Sequence, residues 1–329
     1  MNSDFTIKEG VLTRYTGKGG DVIIPDSVTS IGWGAFSQCS SLTSITIPDS
    51  VTSIGKDAFL CCSSLTSVTI PDSVTSIGDE AFYSCSSLTS ITLPNSVTSI
   101  GNKAFWDCSS LTSVTIPDGV TSIGFDAFYK CSSLTSITIP DGVTSIRDGA
   151  FLGCLGLANE QGLVIVRDTV FDCKEDVTSI TIPDSVTSIG KYAFSGCSNL
   201  KSITIPDSVT RIGEGAFYWC SSLKSVTIPD GVTSIGYEAF SFCSSLTSVT
   251  IPDSVISIGD HAFKGCEGRF ISLHSDFRTK VSPALTKYIS PKTLSSHNRA
   301  MILLYQTGTT WNAIQGNDHI SDVIRFVTE

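Results

Sequence analysis

Apolar positions in this chain come in two short alternating runs followed by a clustered pair, and the arrangement recurs with a 23-residue period between Ile24 and Cys266. In residues 42–65, Leu42, Ile45 and Ile47 are interleaved with Ser44 and Thr46. This period-2 pattern in a β-branched stretch predicts a short strand with one buried face. Pro48, Asp49 and Ser50 predict a turn, because Pro presets φ at the second turn position and Asp can bond its own backbone. Residues 51–54 predict a second extended piece, ended by Gly55, and Ala58, Phe59 and Cys62 at i, i+1 and i+4 predict one helical turn. Each coil then turns Val51, Ile54, Ala58, Phe59, Cys62, Leu65, Val68 and Ile70 inward. No coil can cover that face alone, so neighbours must stack at the ~4.8 Å interstrand spacing, and roughly ten coils make a body on the order of 50 Å long.

The turn prolines set the organisation: Pro25, Pro48, Pro71, Pro94, Pro117 and Pro140, then Pro183, Pro206, Pro229 and Pro252. Between Pro140 and Pro183 the spacing is 43, one coil plus another that is three residues short. Ile165 lies 18 residues before Pro183, as Ile7 lies 18 before Pro25, and both stretches lack the Ala-Phe and Cys marks. The middle segment therefore reads as a second copy of an N-terminal cap module. The expected organisation is a cap over 1–20, a first array over 21–154, a degenerate cap-like coil over 155–178, a second array over 179–266, and a helical cap or tail over 267–329. A kink or bulge is expected in the degenerate coil, with Arg147 in the usual Gly position just before it. In the tail, Ser282-Pro283 and Ser290-Pro291 predict helix starts, and Asp318 a cap for a helix carrying Ile320, Val323, Ile324 and Val327. The last helix runs so close to the end of the chain that a longer parent protein is expected.

The pattern Leu-x-x-Ile-x-Ile-Pro-x-x-Val-x-x-Ile-Gly-x-x-Ala-Phe-x-x-Cys, ten copies over about 245 residues, resembles the 23-residue leucine-rich repeat of BspA-type bacterial surface proteins, found also in treponemes and some protists. The resemblance implies an α/β fold: a right-handed leucine-rich-repeat solenoid of about ten to eleven coils, each with short parallel strands and one short helical turn, ending in a small helical segment. It also implies adhesion or protein binding, although the matching letters are core letters and speak for fold more than for function.

Composition narrows the partners. The longest apolar run, Ala300 to Tyr305, falls far short of the ~20 residues that cross a bilayer, so no membrane insertion is expected. The N-terminus has no charged n-region and no apolar h-region. As written the chain reads as cytoplasmic, whereas the resemblance implies a cell-surface or secreted protein. A net charge of −10 argues against nucleic acid. Nine of the ten turn prolines are followed by Asp, predicting a ridge of carboxylates.

Catalytic chemistry is missing from the repeats. The four histidines, His261, His274, His297 and His319, all lie at or beyond the last repeat, so neither Ser/His/Asp nor Cys/His catalysis has an imidazole to use. There is no Gly-rich phosphate loop. No enzyme, cofactor or metal site is expected. Ten of the twelve cysteines form one column: Cys39, Cys62, Cys85, Cys108, Cys131, Cys154, Cys197, Cys220, Cys243 and Cys266. A disulfide ladder is open to them, but buried thiols filling the end of the turn are the preferred reading, since free Cys is among the most buried residue types. A spacing of 23 without His does not suit zinc. The Asp ridge reads as turn chemistry rather than a calcium cage. Cys61 lies outside the column and could be an exposed thiol.

The functional letters should be those the repeat leaves free. Ser44/Thr46 and their copies make a ladder of hydroxyls, read chiefly as strand chemistry. Variation gathers around Ala-Phe, where Trp33, Phe125, Tyr192 and Tyr237 precede it and Tyr83, Trp106, Tyr129, Tyr218, Trp219 and Phe242 follow it. These ten are the candidate contact residues, because exposed aromatics anchor protein interfaces. Tyr83, Trp106 and Tyr129 share one position in successive coils and should form an aromatic strip. The leading expectation is a non-catalytic binding module with a protein partner; the alternatives are a carbohydrate- or cell-wall-binding module using that strip, or a structural spacer.

Overall fold

The computed structural model describes residues 4–252, 254–266 and 270–273. The chain divides into two compact units, Met1–Asn159 and Glu160–Glu329.

The first unit opens with an antiparallel hairpin, strands Phe5–Lys8 and Val11–Tyr15, which hands over to parallel pairing. One parallel sheet takes two residues from each coil, in the register Leu12, Ile31, Ile54, Ile77, Ile100, Ile123, Ile146. A second sheet takes the longer strands, among them Leu42–Thr46, Ser67–Thr69 and Ser90–Thr92, with Val22, Ile45, Val68 and Ile91 in line. Every step from coil to coil in the repeats is 23 residues, so each inward residue meets its own kind. The eight positions expected to point inward, Val51 through Ile70, are all buried. The phenylalanines form a continuous ladder from Phe36 to Phe151, with near-parallel rings 5.1–5.5 Å apart. Tyr15 and Phe5 close its N-terminal end at 5.1 and 5.2 Å.

The second unit repeats this plan. Its hairpin, Leu163–Val166 with Thr169–Cys173, shifts register between Val164 and Ile165, as the first hairpin does between Thr6 and Ile7. Thr187 N–H donates to Asp168 C=O at 2.7 Å just as Thr29 N–H donates to Gly10 C=O at 2.7 Å. From there the short-strand register runs through Val170, Ile189, Ile212, Ile235 and Ile258. A second phenylalanine ladder joins Phe194, Phe217, Phe240 and Phe263 at 4.9–5.3 Å.

The Ala-Phe segment corrects the expected helical turn. The helix found among the described residues is a single 3-10 turn, Leu155–Leu157. In its place each coil runs through successive i→i+3 turns: Ala81 N–H to Gly78 C=O, Tyr83 N–H to Glu80 C=O, and Cys85 N–H to Phe82 C=O. The intervening N–H groups point along the stack, from Glu80, Phe82 and Ser84 to the carbonyls of Asn102, Ala104 and Trp106 at 2.7–2.8 Å. An α-helix would spend those donors inside its own coil. Here they tie each coil to the next, which is why the residues before Ala and before Cys adopt left-handed backbone in coil after coil.

The expected helical tail lies almost wholly outside the described residues. Its described part, Phe270–Leu273, is a strand paired in parallel with Ser248–Ile251. Arg147, expected to alter the geometry, keeps the backbone bond of its column: its N–H donates to Ile123 C=O at 3.0 Å, as Gly124 N–H does to Ile100 C=O.

All twelve cysteines are free thiols, and those of the column from Cys62 to Cys243 are buried. From Cys62 on, the thiols of the column have partners in the preceding coil: Cys62 Sγ donates to Phe36 C=O at 3.1 Å, Cys85 Sγ to Phe59 C=O and Cys108 Sγ to Phe82 C=O at 3.2 Å. Burial pushes the Cys85 thiol up to about 12, so it stays protonated and unreactive at neutral pH.

Candidate functional site

The turn face is where the repeat leaves room for chemistry. The position before Ala and the position before Cys have positive φ in every copy, filled by Gly at Gly34, Gly149, Gly215, Gly153, Gly196 and Gly265 and by other residues elsewhere. A bulky side chain there costs roughly 1–2 kcal/mol of backbone strain. Three of the candidate aromatics sit in these strained positions: Tyr192 at φ 58°, Trp219 at φ 61° and Phe242 at φ 60°.

In the first unit Tyr83, Trp106 and Tyr129 do form a strip. Ring centroids are 5.7 Å apart for Tyr83 and Trp106 and 3.9 Å for Trp106 and Tyr129, with interplanar angles of 10° and 22°. Lys103 Nζ lies 5.2 Å from the Trp106 ring and Lys130 Nζ 5.4 Å from that of Tyr129. The three rings are half-buried, and Trp106 has an aromatic neighbour in the coil on either side. Leu60 and Leu152 hold the same position in the coils on either side, also half-buried. Sequence reasoning missed these two, although the 23-residue register assigns them to the strip.

Trp33 and Phe125 stand outside that stack. Trp33 is 75% exposed, and its Nε1 donates to Asp57 Oδ2 at 2.8 Å. Phe125 lies under Arg147, whose guanidinium carbon is 5.4 Å from the ring. On the strand face, the Thr66, Thr89, Thr112 and Thr135 hydroxyls each donate to the Thr carbonyl one coil back at 3.1–3.2 Å, so this column is spent on holding coils together. Asp21 closes the face, accepting from Ser44 at 2.6 Å and Thr43 at 3.1 Å, and these bonds hold its carboxyl below the usual range.

The second unit gathers the other five candidates on its turn face. Tyr218 and Trp219 have parallel rings 6.1 Å apart, and Phe242 stands perpendicular to both at 5.6 and 6.0 Å. Lys264 Nζ lies 5.8 Å from the Phe242 ring. Trp219 is 57% exposed and Tyr237 44%. Tyr237 meets His261 edge to face at 6.0 Å, and a hydrogen bond to Glu238 raises its phenol above the ordinary range. Tyr192 Oη donates to Glu214 Oε1 at 3.1 Å, while Lys191 Nζ lies 3.0 Å from the same oxygen. Burial, with the adjoining Glu214 charge, pushes the Tyr192 phenol up to about 12. Nothing in the 23-residue pattern pointed to Glu214 or Lys191, whose roles arise only when adjacent coils stack.

A shallow polar hollow of about 530 Å³ lies beside the hairpin of this unit, lined by Glu160, Gly162, Lys174, Asp176, Ser179 and Thr181 among others. Its walls offer few apolar groups, which sets it apart from ordinary small-molecule sites. Among the described residues no three His, Cys, Asp or Glu side chains converge on a point where a metal would sit, and no helix is long and apolar enough to cross a membrane.

Comparison with other proteins agrees with the coil geometry. The sequence matches the BspA type Leucine rich repeat region, in 6 copies, over residues 14–115, 98–161 and 164–285. Among curated proteins none matches the chain. Of solved structures, a leucine-rich repeat protein from Bacteroides ovatus is 31% identical, with 81% of this chain and 90% of that one covered and a TM-score of 0.47. A leucine rich cell surface protein from Faecalibacterium prausnitzii is 29% identical over 90% of this chain and 98% of that one, with a TM-score of 0.53. The pneumococcal vaccine antigen PcpA, 20% identical over 84% of this chain and 71% of that one, shares the fold with a TM-score of 0.55. With the repeat matched over most of its length and the stacked coils in place, the chain belongs to the BspA-type leucine-rich-repeat family.

Proposed function

We propose that the chain is a non-catalytic binding module that engages a protein partner at a bacterial cell surface, in adhesion or a related contact. The observation that carries this reading is an exposed aromatic on a strained turn position, Trp219, with the half-buried Phe242 at the same position one coil on. Neither Trp219 nor Phe242 belongs to the buried core cluster of this unit, and the same column accepts Gly in three other coils. Large aromatics held in the open on a rigid scaffold are the usual anchors of protein interfaces. The likeness to a leucine rich cell surface protein supports the location.

Carbohydrate binding through Tyr83, Trp106 and Tyr129 is the second reading, and the ring stacking weighs against it. A sugar ring needs an open aromatic face, whereas Trp106 is packed against Tyr129 at 3.9 Å. The two readings separate on a pair of variants. Capture of a defined surface protein that is lost in Trp219→Ala, with a silent glycan array for both variants, supports the protein-binding reading. Glycan binding that disappears in Trp106→Ala would replace it with the carbohydrate reading. A spacer role predicts no ligand in either assay.

A further inference from the structure

The aromatic triad of the second unit has a geometry suited to one kind of guest. The three centroids of Tyr218, Trp219 and Phe242 are mutually 5.6–6.1 Å apart. A cation seated over their middle therefore lies within the ~6 Å reach of all three rings at once. The cluster already attracts one cation of its own, since Lys264 Nζ stands 5.8 Å from Phe242. Carboxylates stand in the adjoining column: Glu214 accepts from Tyr192, whose phenol also feels Glu238 and Tyr218. Lys191 balances Glu214 at 3.0 Å, whereas Glu238 and Asp260 lie close enough to Tyr237 to raise its phenol. The chain as a whole carries −10.

We infer that the Tyr218–Trp219–Phe242 triad is a docking site for an arginine side chain presented by a partner polypeptide. Arginine fits better than lysine because its planar guanidinium stacks on aromatic faces while its N–H fork reaches carboxylates. The strained backbone belongs to the same argument. Left-handed φ at Trp219 and Phe242 disfavours bulky residues, while Gly196 and Gly265 take the equivalent positions in the coils on either side. The aromatic rings stand there at a cost to the fold, and their benefit lies in what they present. The inference rests on the binding-module reading and names the chemistry of the partner.

The test uses the full chain and a fluorescent octa-arginine peptide, with octa-lysine, octa-glutamate and maltoheptaose as comparison ligands, followed by anisotropy in low and moderate salt. Octa-arginine is expected to bind more tightly than octa-lysine, with no binding of octa-glutamate or maltoheptaose. Trp219→Gly and Phe242→Gly should each weaken octa-arginine by about tenfold while melting at or above the parent temperature, because glycine relieves the strain. Ile23→Ala, at an exposed apolar residue outside the triad, should leave the affinity unchanged. Octa-arginine affinity that survives in both glycine variants, equal binding of octa-lysine, or displacement by maltoheptaose would overturn the inference. If the triad fails while a defined protein partner is still lost in Trp106→Ala, the arginine site is wrong and the binding-module reading stands on another face.

Discussion

The indole of Trp106 lies on the phenol ring of Tyr129 with centroids 3.9 Å apart, and Tyr83 lies on its other side at 5.7 Å. These ring contacts run from coil to coil. Trp106→Ala should therefore cost about 1–2 kcal/mol, the value of two aromatic pairs at ~0.5–1.5 kcal/mol each reduced by partial exposure. Urea denaturation measures it. An unchanged midpoint would mean that the stack contributes nothing to stability.

Phe59 is fully buried between Phe36 and Phe82, each 5.1 Å away. Phe59→Ala opens a cavity in the middle of the ladder and should destabilise by ~3–5 kcal/mol. A loss under about 1 kcal/mol in the same denaturation experiment would show that neighbouring rings close the gap.

A Cβ built on Gly78 would stand 2.7 Å from the carbonyl carbon of Gly55 and from the amide nitrogen of Lys56. Backbone, unlike the end of a side chain, cannot step aside, so Gly78→Ala should cost about 1–3 kcal/mol as overpacking. It should also loosen the adjoining coils, read as faster amide exchange at Gly78 and Gly101. A gain in stability would mean that the coils can spread at this column.

The Cys85 thiol connects stability to pH. Its ordinary value is 9.0, and burial raises it to about 12 in the fold. Above pH 9 the unfolded chain releases this proton while the folded one keeps it, so the unfolded state binds fewer protons and stability falls as pH rises. The contribution is complete below pH 9 and is lost towards pH 12, at up to about 1.4 kcal/mol per pH unit for one thiol. Thermal melts should be level between pH 7 and 8.5 and decline above it, and Cys85→Ala should lessen that decline by one thiol's share, since burial raises Cys62 and Cys108 as well. A melting temperature indifferent to pH from 9 to 11 would contradict the burial argument.

Much of the coil was readable from the letters alone. Alternation marked the strands, Pro-Asp the turn, and the repeated Val, Ile, Ala, Phe, Cys and Leu the inward face. The Ala-Phe segment was misread because Ala, Phe and Cys at i, i+1 and i+4 face the same way in a helical turn and in a run of hydrogen-bonded β-turns. What separates the two is the destination of the N–H groups, and those of Glu80, Phe82 and Ser84 go to the next coil. Gly55 and its copies read as strand breakers, whereas their column is small because the next coil's glycine packs against its backbone. The sequence likewise offered no reason for Cys rather than Ala, until Cys85 Sγ was found donating to Phe59 C=O one coil back.

What this sequence determined by itself was the coil, because a strict 23-residue period aligns every inward residue with its own kind and leaves the stack as the one arrangement that buries them all. It also marked the ten aromatics as unrepeated letters. Tertiary structure alone decided how exposed each of them is and which rings it meets. The position after Phe sets Tyr83, Trp106 and Tyr129 ring on ring and half-buried. The left-handed position before Cys leaves Trp219 exposed, beside Tyr218 and Phe242. That difference comes from backbone φ and from the side chain one coil away, neither of which is written within a single repeat.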